Sequence, residues 1–255
     1  MAPHVLRNVR LFTGGVDLTT RGNKISLEPE YEEKDVTTWG SVDANGDLWK
    51  DVIAGLGSGK LTAGGFWEAG DPSKVDDDAW AGLGGLDAWT VCPVNGSVGA
   101  VAYLASNLSG NYQQGGSPGD VAPWSASMTF SGPLARGPVL HPPGLARTAT
   151  GTGTVVDLSA TGTTFPAGKG LYATAHVLSV AGTGTPSLTV AVQTAPTSGF
   201  ASPTTRITFP AFTAIGGSRM VAAGPITDGF ARVSYTISGT SPSFLFVVAV
   251  GTANA

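Results

Sequence analysis

Apolar and polar positions alternate through much of this chain. In Lys24–Trp39, KISLEPEYEEKDVTTW, Ile25, Leu27, Pro29 and Tyr31 share one parity and Ser26, Glu28, Glu30 and Glu32 the other. Successive side chains of a strand point to opposite faces, so this pattern predicts an apolar face backed by a ladder of carboxylates. VAPWSASMTFSGPL repeats it, with Trp124, Ala126, Met128 and Phe130 set against Ser125, Ser127, Thr129 and Ser131. After residue 148 the chain reads as strands throughout: TVVDLSA, GLYATAHVLSV, SLTVAVQTA, TTRITFPAF, SRMVAAG, FARVSYTIS and SFLFVVAVG. Turns are expected at Gly182-Thr-Gly184, Gly216-Gly217 and from Gly239 to Pro242. Seven short strands at near-regular spacing predict an antiparallel sandwich. The last is apolar on both parities, so it is expected at the centre or under cover.

One helix is expected, from Lys74 to about Leu83. Ser73 is placed to cap it, and Asp76, Asp77 and Asp78 fill a first turn whose dipole favours anions. Val75, Ala79 and Leu83 form an apolar stripe, and Gly84-Gly85 ends the run. The first strands flank a Gly14-Gly15 turn, and Asn45-Gly46 marks another turn. Residues 48–60 are glycine-rich and read as a long excursion.

RGPVLHPPGLAR, Arg136–Arg147, has three prolines and two glycines and no strand period, which predicts a stiff connector. The domain organisation expected is 1–138, a connector at 139–147, and a second β-sandwich over 148–255. Charge shifts at the same point. Residues 1–140 hold 9 Lys and Arg against 16 Asp and Glu, and residues 141–255 hold 5 against 2. An acidic N-terminal half is ill suited to gripping nucleic acid, whose phosphates call for clustered cations. Glycine (37), proline (17) and a charged content of only 13% fit many short strands joined by turns. Mean hydropathy is +0.14, which hints at surface buried in an assembly.

Chemistry is sparse. The single cysteine, Cys92, excludes an intrachain disulfide and reads as a small buried apolar residue. His4, His141 and His176 lie far apart without metal-ligand spacing. Asp43, Asn45 and Asp47 are similar to a calcium loop, but the glycine is misplaced and position twelve is Ala54, so the segment reads as a turn. AGLGSGKLT fails as a phosphate-binding loop because Ala54 and Leu61 stand where glycine and a hydroxyl are needed. The acids of the N-terminal half leave paired-carboxylate hydrolysis formally open, although acids two apart on a strand read more simply as a solvated face. Trp39, Trp49, Trp67 and Trp89 read as core before they read as a sugar platform. No catalytic residue, cofactor site or metal site is expected. The N-terminus lacks a signal-peptide core and no 18-residue apolar run exists, so cytoplasmic synthesis without membrane insertion is expected.

Together, the early acidic strand running into DVTTWGS, the glycine-rich lead into GKLTAGGFWEAG, the helix SKVDDDAWAGL and the closing GDVAPWSASMTFSGPLARG resemble a siphophage major tail tube protein. TTRITFPAF…GPITDGFARVSYTISGTSPSFLFVVAVG is similar to the immunoglobulin-like sandwich appended to many phage tail proteins. The resemblance implies a mainly β fold with one flanking helix and a virion location in the phage tail. It further implies subunits that join as hexameric rings, stack into a tube beside other tail proteins, and pass double-stranded DNA without specific binding. On that basis Glu28, Glu30 and Glu32 are candidate lumen lining. Asp43, Asn45, Gly46, Trp49 and Lys60, within a loop at 40–66, are candidate inter-ring contacts. The C-terminal sandwich would decorate the tube's outside and could touch a host-surface glycan, with no residue assigned to that contact. A capsid decoration protein, a carbohydrate-binding adhesin and a carboxylate enzyme remain the alternatives.

Overall fold

The computed structural model describes residues 6–71, 74–163 and 169–253. The fold is mainly β. Its N-terminal half holds β1 (Arg10–Thr13), β2 (Val16–Asp17), β3 (Gly22–Asp35), β4 (Val52–Phe66), α1 (Val75–Ala81), β5 (Leu86–Cys92), β6 (Val101–Gln114), β7 (Pro123–Phe130) and β8 (Ala135–His141). The C-terminal half holds β9 (Gly151–Thr152), β10 (Val156–Asp157), β11 (Leu171–Ala195), β12 (Thr204–Thr208), β13 (Gly216–Ala222) and β14 (Phe230–Ala253). All pairings are antiparallel and connect into one curled sheet, whose main path runs β12-β11-β14-β8-β6-β5-β1-β2. Short strands β9 and β10 pair with β14, and β3, β4 and β7 continue from β6.

The β14 strand pairs with β11 on one side and β8 on the other. This central position explains why both of its parities are apolar: Phe244, Phe246 and Val248 face the C-terminal core. Val247 and Ala249 face a second core against Phe12, Cys92, Ala102 and Leu104. A third core fills the N-terminal half with Leu11, Leu61, Trp89, Trp124 and Met128.

Three expectations are corrected. First, Gly182-Thr-Gly184 and Gly239–Pro242 do not reverse the chain. They face each other across β11 and β14 with Thr183 opposite Thr240, and positive φ at Gly182, Gly184, Thr185, Gly239 and Ser241 bends both strands together. Turn residues kink a two-stranded ribbon when both strands break at the same level. The four strands expected there are therefore two, of 25 and 24 residues. Second, the expected connector begins inside a strand. Val139, Leu140 and His141 are buried in β8, which pairs with both β6 and β14, so one sheet runs through the boundary. The prolines at 142 and 143 form the turn after it, and Arg147 bridges back to Phe244. Third, residues 52–60 are not an excursion but the first part of β4.

The helix is shorter than expected. Lys74 stands at its N-cap without a side-chain cap bond, and Ser73 lies outside the described residues. Val75 packs into the core beneath it, whereas Leu83 is exposed. Asp76 does more than face the helix dipole: it accepts hydrogen bonds from Trp67 Nε1 at 2.9 Å and Tyr112 Oη at 2.7 Å, tying α1 to the sheet.

Candidate assembly surfaces

Strands β3, β4, β7 and β6 lie side by side with their alternation in phase. Ile25 sits opposite Ala63, Ala126 and Tyr112, while Leu27 sits opposite Leu61 and Met128, and these residues turn to the core. The other face is mostly polar, with Leu108 and Phe66 as its exposed apolar residues. One row runs Ser26, Thr62, Ser127 and Asn111, and the next Glu28, Lys60 and Thr129, ending at Leu108. Ser125 and Gln113 extend it past Gly64. Thr62, Ser125, Ser127, Asn111 and Gln113 line an open recess of about 410 Å³.

Of the three glutamates of the ladder, Glu28 stands on this face, and Glu30 and Glu32 follow it on the same parity along the part of β3 that runs beyond β7. Each has a local partner: Ser26 Oγ donates to Glu28 at 2.7 Å, Ser58 Oγ donates to Glu30 at 3.0 Å, and Lys34 pairs with Glu32. Lys60, expected in a loop, instead stands directly across from Glu28 on β4. Cross-strand neighbours of opposite charge favour the pairing, so part of the ladder is balanced within its own sheet.

Both edges of this four-stranded sheet are open. Among the described residues β3 pairs only with β4, and beyond Ser109 β6 pairs only with β7. An unpaired edge as long as β3 invites a further strand.

Beyond about residue 28, β3 and β4 leave the body as a two-stranded arm. A register shift between Tyr31 and Glu33 places the extra residue on β4, and residues 36–51 form the tip. Val42 bridges Leu48, and the Asp43 carboxylate caps the turn by accepting from the backbone N–H of Asn45 at 2.8 Å and Asp47 at 3.0 Å. These bonds hold its pKa below the ordinary carboxylate value. Gly46, at φ 88°, takes a left-handed position that favours glycine. Four residues expected in one loop, Asp43, Asn45, Gly46 and Trp49, therefore meet at the tip. Trp39 (96% exposed) and Trp49 (67%) do not enter any core, unlike Trp89; Leu48, Ile53 and Leu56 are also exposed along the arm.

At the root of the arm lies a groove of about 740 Å³ between β1, the start of β3, residues 95–97 and the Pro142-Pro143 turn. Val9, Leu11 and Ile25 are among its apolar lining, and Arg7, Arg10 and Lys24 are its charged lining.

The two halves meet in a polar and glycine-lined joint that sequence reasoning missed. The turn at Gly14-Gly15 packs against Gly216-Gly217, close enough that a Cβ on Gly15 would lie 2.5 Å from the Gly216 nitrogen. Beside it, His176 Nδ1–H donates to the Gly14 carbonyl at 2.8 Å, and Nε2 contacts Thr90 Oγ1 at 2.8 Å, itself 2.6 Å from Thr174 Oγ1. A carbonyl only accepts, so the proton sits on Nδ1 and the neutral ring accepts from Thr90. Burial pushes the His176 pKa down to about 4. His141 is held likewise: it donates through Nδ1 to the Phe246 carbonyl at 2.9 Å and accepts from Arg147 Nε at 3.0 Å. Burial lowers its pKa to about 4. Arg219 stacks on Tyr172 and reaches the Pro133 carbonyl at 2.6 Å. Within α1, burial and the neighbouring Asp87 carboxylate raise Asp78 to about 7. Cys92 is buried, and its thiol is pushed up to about 12.

No protein-family model and no curated protein matches the chain. Among solved structures, the tail of an empty gene transfer agent (GTA) particle aligns with 47% of this chain and 84% of its own, at 17% identity and TM-score 0.38. The sheath-tube complex of an extracellular contractile injection system aligns with 54% of this chain and 93% of its own, at 12% identity and TM-score 0.40. The Dit hub protein of phage SPP1 spans 96% of this chain and 99% of its own, at 10% identity and TM-score 0.33.

Proposed function

We propose that the chain is a structural subunit of a phage tail, joining edge to edge into rings that stack as a tube around passing DNA. The observation that carries this is the four-stranded sheet β3-β4-β7-β6, polar across most of one face and open at both edges. Pairing β3 of one copy with the outer end of β6 in the next is a head-to-tail contact, which closes a ring when the rotation permits. Closure removes both exposed edges and yields a barrel with one face inward.

With the polar face inward, Ser, Thr, Asn and Gln side chains line the passage, and Glu28, Glu30 and Glu32 add negative charge that repels phosphate within a Debye length of about 8 Å at physiological salt. Lys60 tempers that field without turning it into a cationic track. The apolar face stays in the core beneath α1. Asp43, Asn45, Gly46 and Trp49 at the arm tip serve contacts between rings. The C-terminal sandwich, fixed through β8, β11 and β14, stands outside the barrel as a rigid part of each subunit.

Electron microscopy of the purified chain tests this reading. Rings and stacked tubes with a central channel are expected. Persistent monomers, or isolated trimers of the kind a capsid decoration protein forms, would overturn it; glycan-array binding without assembly would point to an adhesin.

A further inference from the structure

Resting on the tube reading, we propose that the arm tip of one copy seats in the groove at the arm root of the next copy. A bare two-stranded ribbon is marginal in water, yet this one carries Trp39, Val42, Leu48, Trp49, Val52 and Ile53 exposed. Apolar surface of that density marks an interface. The tip is also acidic: residues 35–51 hold Asp35, Asp43, Asp47 and Asp51 against Lys50 alone.

The groove is the complement of that tip in both respects. Its apolar lining and the rings of Pro142 and Pro143 offer a bed for indole side chains, and Arg7 and Lys24 offer cations. Among the described residues neither makes an ion pair, whereas Arg10 leans toward Asp17 at 3.6 Å. An arginine at such a site both pairs carboxylates and stacks on tryptophan.

Position within the fold selects the occupant. The root, residues 22–25, and the tip, residues 36–51, are opposite ends of the same hairpin. A copy cannot fold a β ribbon back so that its tip fills its own root. A tip-to-root contact between copies is heterologous and not self-completing, so it propagates along one direction. Ring closure through the sheet edges and stacking through the arm then use separate surfaces.

The test uses the full chain with two introduced cysteines, Asn45→Cys at the tip and Ser97→Cys at the groove rim. Cys92 is buried and leaves the background silent. Mild oxidation of assembled protein is expected to give a ladder of linked multimers on a non-reducing gel, against dimers at most for either single variant. A second variant, Arg7→Glu with Lys24→Glu, is expected to keep the wild-type melting temperature and form rings that fail to stack. Stacking is expected to return when Asp47→Lys and Asp51→Lys are added. Tubes that form without the ladder, or that stack normally in the charge-reversed variant, overturn the groove contact and leave the tube reading intact. A wild-type chain that never assembles overturns the tube reading itself.

Discussion

His176 Nδ1 lies 2.8 Å from the carbonyl oxygen of Gly14, a contact between residues 162 positions apart that pins the two halves together. Next to it a Cβ on Gly217 would sit 2.5 Å from that same oxygen and 2.9 Å from the Gly14 Cα. Backbone on both sides leaves nothing soft to yield. Gly217→Ala is therefore expected to destabilise the chain by about 2–3 kcal/mol. Gly199→Ala, where the added Cβ meets nothing within 4 Å, is the control and should melt with the wild type. Thermal unfolding followed by circular dichroism compares them; equal melting temperatures would show that the joint is loose.

The same joint bears on whether the C-terminal sandwich is detachable. Phe12, Ala102, Leu104 and Val139 are fully buried against Val247 and Ala249, and β8 lends one edge to β14. A chain cut after His141 would bare that cluster and an unpaired strand edge at once. We expect it to aggregate or to bind a hydrophobic dye. A soluble fragment with native-like near-ultraviolet circular dichroism would mean that the halves are independent modules.

Strand identity was largely legible in the sequence because alternation reports a half-buried strand directly, as in β3 and β7. The polar face could be anticipated one strand at a time, since Ser, Thr and Glu fell on a single parity. What could not be read was pairing. Lys60 looked like part of a glycine-rich loop, although GLGSGK simply extends β4 through residues small enough to lie flat: a Cβ on Gly59 would strike Phe130 at 2.4 Å. Gly14-Gly15 and Gly216-Gly217 each announced a turn, but nothing local said that the two turns touch. The prolines near residue 142 suggested a linker because the burial of Val139 and Leu140 depends on β14, more than a hundred positions away. Long-range register, which hydrophobic period does not encode, separates the expected two-module chain from the observed continuous sheet.

Acid is expected to weaken the fold through the two buried histidines. Both have folded pKa values of about 4 against an ordinary 6.5, so the unfolded chain binds protons first as pH falls. Their contribution is fully present above pH 6.5 and is lost between there and pH 4, about 3 kcal/mol for each. Asp78 acts in the opposite sense. Its pKa is raised from 3.8 to about 7, so its contribution is present below pH 3.8 and is lost as pH rises through 7. Asp78→Asn should therefore stabilise the chain at pH 8, by on the order of 4 kcal/mol at most, and gain little at pH 4. Melting curves from pH 4 to 8 for both proteins read this out; an equal gain at both ends would mean that Asp78 is not held protonated near neutrality.

The glutamate ladder offers a test in which stability and function should separate. Glu28, Glu30 and Glu32 are exposed, and their bonds to Ser26, Ser58 and Lys34 are surface contacts that an amide can partly replace. Exposed ion pairs of this kind contribute about 0–1 kcal/mol. Glu28→Gln, Glu30→Gln and Glu32→Gln combined should leave melting and ring formation nearly unchanged. The inward charge, however, would fall by three in every subunit and leave Lys60 facing the passage without a carboxylate opposite it. Phosphates would then meet a cationic ring instead of a mixed one. Tubes of the triple variant are expected to retain short duplex DNA at low salt where wild-type tubes do not, with retention fading as salt rises, and particles carrying them should eject their genome more slowly. Indistinguishable DNA retention and ejection in the two proteins would place the ladder on a face that DNA never meets.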